Sequence, residues 1–205
     1  MTKIKICGIT REEDALLAAD LGADFLGFIF VPSSPRFVEP ERAAAIAARV
    51  RERQSPPRLT GVFHDSSPEY IKEIASLTGI DIAQLHGSET DDDIRALGFP
   101  AVKVLRVGDS LPDTQLTPTA AWLLFDTFDE RRAGGTGRRF DWSVLASYDR
   151  SKPFFLSGGI TPDNVVAAIS LVRPDAIDIA SGVESEPGVK DREKLERLFE
   201  RIRRA

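Results

Sequence analysis

The stretch PFFLSGGITPDNVVAAISLVRPDAIDIASG, residues 153–182, holds two short apolar runs, each ending in a serine and glycine, with a helix-like segment between them. Strands of nearly unbroken apolar character, separated by helical patterns, belong to a parallel sheet covered on both faces. Thr161 stands before Pro162, a residue suited to the first position of a helix. The unit therefore reads strand, helix, strand, with glycines where each strand ends.

The same unit recurs upstream. Apolar runs stand at IKICG (4–8), FLGFIF (25–30), LTGVF (59–63), IAQLHG (82–87), AVKVLRV (101–107) and AWLLFD (121–126), and PFFLSGG and AIDIASG make eight. Gly22, Gly79 and Gly98 sit where helices should stop, each a few residues before the next run. Helix starts are expected at Thr10 with Glu13, at Ser88 with Asp91, and at Ser67 and Thr161 before their prolines. Eight such units in 205 residues predict an α/β fold, a single compact (βα)8 TIM barrel spanning 1–205. An open doubly wound sheet has the same periodicity. Position favours the barrel, because the chemically unusual residues cluster at the strand ends: Cys7 and Gly8, His64 and Asp65, His86 and Gly87, Asp126, Gly158 and Gly159, Ser181 and Gly182.

Composition narrows the function. A net charge of −5 without a basic block argues against nucleic acid as partner, and no apolar run is long enough to span a membrane. The N-terminus has no signal-peptide pattern, so the mature chain is expected to start here. A single cysteine forms no intrachain disulfide, which points to a cytoplasmic location. The expected partner is a small phosphorylated molecule, and the expected assembly a monomer or homodimer.

Glycines let backbone N–H groups approach an anion, and the loops after strands seven and eight of a barrel often hold phosphate. Gly158, Gly159, Ser181 and Gly182 are therefore candidate phosphate ligands. GGTG at 134–137 has neither a Walker lysine nor a dinucleotide fingerprint, and its long stretch reads either as a mobile lid over a site or as plain disorder. Cys7 and Asp126 end strands one and six of the expected barrel, so both can face one mouth and form a base and acid pair needing no cofactor. His64, Asp65 and His86 lack a repeated ligand spacing, and no metal is expected. In the tail, Leu195, Leu198 and Ile202 recur at helical spacing, as in a closing helix.

Taken in order, KICGIT, GFIFVPSSPRFV, AQLHG, Asp126-Thr127, GGTGRRFDW, SGGITPDNV and DIASGVE closely resemble the motifs of the phosphoribosylanthranilate isomerases of tryptophan biosynthesis. Ile179-Ala180 departs from the family's common Val-Ser, and VFHD at 62–65 from its apolar strand ending. The resemblance implies a cofactor-free Amadori rearrangement in which Asp126 protonates the sugar ring oxygen and Cys7 removes the C2 proton. It implies that Arg36 faces the anthranilate carboxylate, with Gln84 and His86 lining the rim. A sister isomerase of histidine biosynthesis resembles a pair of aspartates at the two catalytic positions, where this chain has Cys7. A non-catalytic phosphometabolite-binding barrel is the alternative from another class.

Overall fold

The computed structural model describes residues 2–127 and 141–204. Eight parallel strands close into a barrel in chain order: β1 Lys3–Cys7, β2 Phe25–Ile29, β3 Arg58–Phe63, β4 Ile82–Leu85, β5 Ala101–Val107, β6 Trp122–Thr127, β7 Phe154–Leu156 and β8 Ala176–Ile179. Closure is made by β1, which pairs with β2 on one side (Lys5 opposite Phe25) and β8 on the other (Lys3 opposite Ala176). All eight apolar runs of the sequence are these strands, and the open sheet is ruled out.

Outside the strands lie α1 Glu12–Leu21, α2 Pro40–Arg51, α3 Pro68–Thr78, α4 Asp91–Leu97, α5 Val165–Val172 and α6 Arg192–Arg203. Among the described residues the connections after β5 and before β7 depart from the regular alternation. Residues 108–121, between β5 and β6, contain no helix, and a 3-10 helix, Trp142–Ser147, precedes β7. After β8 a 3-10 turn, Ser181–Val183, leads into a small hairpin of β9 Glu184–Glu186 and β10 Val189–Lys190.

Helices α1, α3 and α4 end at Gly22, Gly79 and Gly98 in left-handed conformation, as expected. Ser67 caps α3, accepting from the Tyr70 amide at 3.3 Å. The other expected starts shift. Arg11, not Thr10, precedes α1 and gives no side-chain cap, because the Thr10 hydroxyl donates instead to Gly188 O at 2.5 Å. Thr90 with Asp93, not Ser88 with Asp91, forms the capping box of α4, while the Ser88 hydroxyl donates to Asp65 Oδ1. α5 begins at Val165 rather than after Thr161, whose amide donates to Asn164 Oδ1 at 2.9 Å. For Thr10 and Ser88 a more distant acceptor captures the hydroxyl that local pattern assigned to the cap.

Strand residues alternate between two cores. Ile4 and Ile6 of β1 face the helices, in the larger core that also takes Leu195, Leu198 and Ile202 of α6. Phe25, Ile82, Val102, Val104, Leu124, Phe155 and Ala176 fill a second, separate core inside the barrel. Lys3 Nζ lies 5.8 Å from the Phe25 ring and 5.5 Å from that of Trp122, a cation over the aromatic floor. The lower barrel is thus plugged by apolar side chains, and the polar inward residues lie nearer the strands' C-terminal ends.

Candidate active site

Alternation along β1 sends Lys5 and Cys7 to the same, inner face. Cys7 is 6% exposed, its Sγ resting against Gly27 of β2. Lys5 is completely buried; its Nζ donates to Gln84 Oε1 at 2.8 Å and Asp178 Oδ1 at 3.0 Å, on the same inner face as the Cys7 thiol. Gln84 Nε2 lies 2.8 Å from His86 Nε2. Because the Gln84 oxygen is occupied by an ammonium, its amide nitrogen must be the donor to His86, leaving the imidazole proton on Nδ1. A polar chain, Asp178–Lys5–Gln84–His86, therefore crosses the barrel from β8 to the end of β4.

Charge states follow from burial and neighbours. Withdrawal from water, reinforced by the positive charges of Lys5, Arg106 and Lys103, pushes His86 down to about 3, so it is neutral near pH 7. Burial pushes the Cys7 thiol up; Lys5 and Lys190 oppose it and Asp178 adds to it, leaving the thiol above its ordinary value. Lys5 is desolvated, yet its pKa is raised because Asp178 and Cys7 more than compensate.

A second cluster stands beside Cys7. Arg36 is seized by Glu184: Nε donates to Oε1 and Oε2 at 2.9 and 3.0 Å, and Nη2 to Oε2 at 2.7 Å. Lys190 Nζ donates to Glu184 Oε1 at 2.7 Å and to the Cys7 carbonyl at 2.5 Å. Despite burial, which raises it, the Glu184 carboxyl stays below its ordinary value because Arg36 and Lys190 hold the anion. Gly8, at φ 76°, brings the backbone so close to Arg36 that a Cβ would lie 2.6 Å from its Cδ. Among the described residues, the Arg36 side chain thus commits Nε and one side of Nη2 to Glu184.

Asp126 ends β6, opposite Arg106 of β5, and shares the inward parity of Leu124. It is half-buried. Gly158 and Gly159 follow β7 with φ of 88° and 65°, and the Asn164 amide donates to Gly159 O at 2.8 Å. Ser181 and Gly182 follow β8, and a Cβ at Gly182 would fall 1.9 Å from the carbonyl oxygen of Ile160, so the two loops are in contact only because that Cβ is missing. Cys7, Gln84, His86, Asp126 and both glycine loops thus share the C-terminal rim. GGTG lies outside the described residues.

His64, Asp65 and His86 are not gathered as a group. His64 Nδ1 is 3.0 Å from Asp65 Oδ2, whereas His86 is tied to Gln84. Asp65 accepts from the Ser88 amide and hydroxyl, both at 2.7 Å, and thereby joins the loops after β3 and β4. Among the described residues no cluster of His, Cys, Asp and Glu is arranged to hold a metal ion, and no helix is long and apolar enough to cross a membrane.

Residues 4–201 match the family model described as N-(5'-phosphoribosyl)anthranilate (PRA) isomerase. The chain belongs to this family. A phosphoribosylanthranilate isomerase of Pseudomonas fluorescens is 44% identical over 206 residues, covering 98% of this chain and 95% of that protein. The crystal structure of the isomerase from Thermus thermophilus superposes with a TM-score of 0.88 at 38% identity, covering 99% of each chain. A further solved isomerase, in complex with reduced 1-(o-carboxyphenylamino)-1-deoxyribulose 5-phosphate, superposes with a TM-score of 0.83 at 35% identity, covering all of both chains. Four residues on the isomerase rim and in its interior escaped the sequence reading: Lys5, Asp178, Glu184 and Lys190. Lys5 and Asp178 left a signal, as charged residues inside the apolar strand runs IKIC and AIDI.

Proposed function

We propose that the chain converts N-(5-phosphoribosyl)anthranilate to 1-(2-carboxyphenylamino)-1-deoxyribulose 5-phosphate with Asp126 as general acid and Cys7 as general base. Asp126 gives its proton to the ring oxygen as the C1–O bond breaks, and the nitrogen lone pair forms the iminium. The iminium acidifies the C2 hydrogen. Cys7, as thiolate, takes that proton to give an enolamine, which tautomerises to the ketone. Gly158, Gly159, Ser181 and Gly182 hold the phosphate, and Arg36 takes the anthranilate carboxylate. Gln84 and neutral His86 line the substrate's flank.

The observation that carries this reading is the shared rim: the only thiol and a carboxyl end two strands of a closed barrel whose seventh and eighth strands end in paired glycine loops. The family relative solved with a carboxyphenylamino-deoxyribulose phosphate supports the substrate class. No cofactor enters these steps. All the groups named come from one chain, so the reading is the same for a monomer or a homodimer. A base that must remain a free thiol suits a reducing compartment, and a cytoplasmic location is part of the proposal.

The test is turnover of phosphoribosylanthranilate, followed by fluorescence, with purified protein and its Cys7→Ala variant. Cys7→Ala should fold, bind the product and lose turnover; normal turnover by Cys7→Ala removes Cys7 as the base.

A further inference from the structure

The catalytic scheme above uses Cys7 but has no task for Lys5, although a fully buried lysine is costly unless something holds its charge. Two groups do so. Asp178 of β8 and Gln84 of β4 fix the ammonium from two sides at 3.0 and 2.8 Å, and the Cys7 thiol stands two residues on along the same inner face of β1. With two acceptors on separate strands, the ammonium is locked in position on the face of β1 that also carries the sulfur.

The surrounding charges do not cancel. Lys190 and Arg36 share the Glu184 carboxylate, and Asp14 accepts from the Lys190 amide at 3.0 Å; of the charges that act on Cys7 itself, Lys5 and Lys190 are positive and Asp178 is negative, which leaves one positive charge over at the sulfur. Cys7 lies within this cluster, between Lys5 beneath its side chain and Lys190 on its carbonyl. A thiolate at Cys7 would neutralise the surplus. The other groups around this mouth are His86, neutral, with Lys103, Arg106 and His64 acting on it, Asp126 opposite Arg106 at the end of β6, and Asp14 of α1 against Lys190.

We propose that Lys5 is a positioning residue for the rearrangement: held by Asp178 and Gln84, its ammonium fixes the Cys7 sulfur and supplies the positive charge against which the thiolate forms. This rests on Cys7 being the base. The proton leaves the thiol for solvent before substrate binds, and Lys5 stays protonated throughout, donating to sulfur without transferring its proton. Asp178 acts in two senses. It keeps Lys5 charged and in place, but its own negative charge opposes the thiolate.

The two senses give a test with opposite signs. The rate of alkylation of the single cysteine is measured against pH in the intact protein and in two variants. Lys5→Met, close in length and uncharged, should move the midpoint up by about one pH unit or more, and cut alkylation at pH 7 by about tenfold. Its kcat should fall with KM nearly unchanged. Asp178→Asn should move the midpoint down, because Lys5 remains and an anion is lost. A folded Lys5→Met with an unmoved midpoint overturns the proposal, as does an upward shift in Asp178→Asn. Failure of both variants to fold makes the network structural and also overturns it. The alkylation profile reads the link between Lys5 and Cys7 whether or not Cys7 is the base, and Cys7→Ala turnover reads the base, so the two ideas fail separately.

Discussion

Gly27 and Cys7 face each other across the β1–β2 ladder so closely that a Cβ on Gly27 would lie 2.7 Å from Cys7 Sγ. The thiol occupies the volume that any other residue at 27 would need. Gly27→Ala should therefore push the sulfur off its site while leaving the outer core intact. Overpacking of this kind costs about 1–3 kcal/mol, and displacement of a reacting atom by about 1 Å costs on the order of 10²-fold in rate. Thermal melting and kcat on the same sample check this; a variant that melts lower but keeps full kcat would show that the thiol's position is not critical.

Asp126→Asn keeps the shape of the β6 end and removes the transferable proton. Loss of a general acid should lower kcat by about 10²–10⁴ with little change in product affinity. Steady-state kinetics and isothermal titration with the product decide it, and an active Asn variant would assign the acid elsewhere.

Glu184→Gln tests how Arg36 is held. The carboxylate binds Arg36 by two nitrogens and Lys190 by one, with side chains only 11%, 4% and 0% exposed for Arg36, Glu184 and Lys190. Removing one partner of a buried ion pair costs about 3–5 kcal/mol of stability. At the same time Arg36 loses the partner that orients its guanidinium, so KM should rise by about tenfold or more, with a smaller effect on kcat. Urea melts and Michaelis curves separate the two effects; unchanged KM would remove Arg36 from the carboxylate site.

His86 makes the fold acid-sensitive. Its folded-state value of about 3 lies below the ordinary 6.5, so between those limits the unfolded chain binds a proton that the folded chain refuses. The contribution is complete above pH 6.5 and is lost as pH falls towards 3, at about 1.4 kcal/mol per pH unit for one proton. His86→Gln should flatten this part of the stability curve by one proton's slope. Urea titrations at pH 7 and pH 4.5 measure it, and parallel curves for the two proteins would refute it.

The barrel was legible because each buried strand is a mainly apolar run, broken only by single polar residues such as Lys5 and Asp178, and the rim because glycines, histidines, Cys7 and Asp126 all stand where those runs stop. Helix starts were less legible. Thr10 and Ser88 each have the composition of a cap but find stronger acceptors in Gly188 O and Asp65, contacts that only the closed fold creates. The helix expected between β5 and β6 was inferred from repetition rather than from any capping signal in 108–121, and it is missing. Glu184 and Lys190 could not be found by pattern, because their role depends on a hairpin returning to Cys7 from the far end of the chain. Arg36 was legible only through family resemblance; by itself, SSPRFV does not reveal that its arginine will be buried against Glu184.

Closing β1 against β8 also sets a schedule for protein synthesis. Lys5 meets Asp178 across 173 residues, and Lys190 reaches the Cys7 carbonyl across 183. The ribosome therefore releases the thiol long before it makes the groups that will enclose it. The first strand thus carries the sulfur, while the ammonium's anchor and the second cation arrive only with the last strand and hairpin, so a chain cut short before residue 178 has the thiol but not its electrostatic setting.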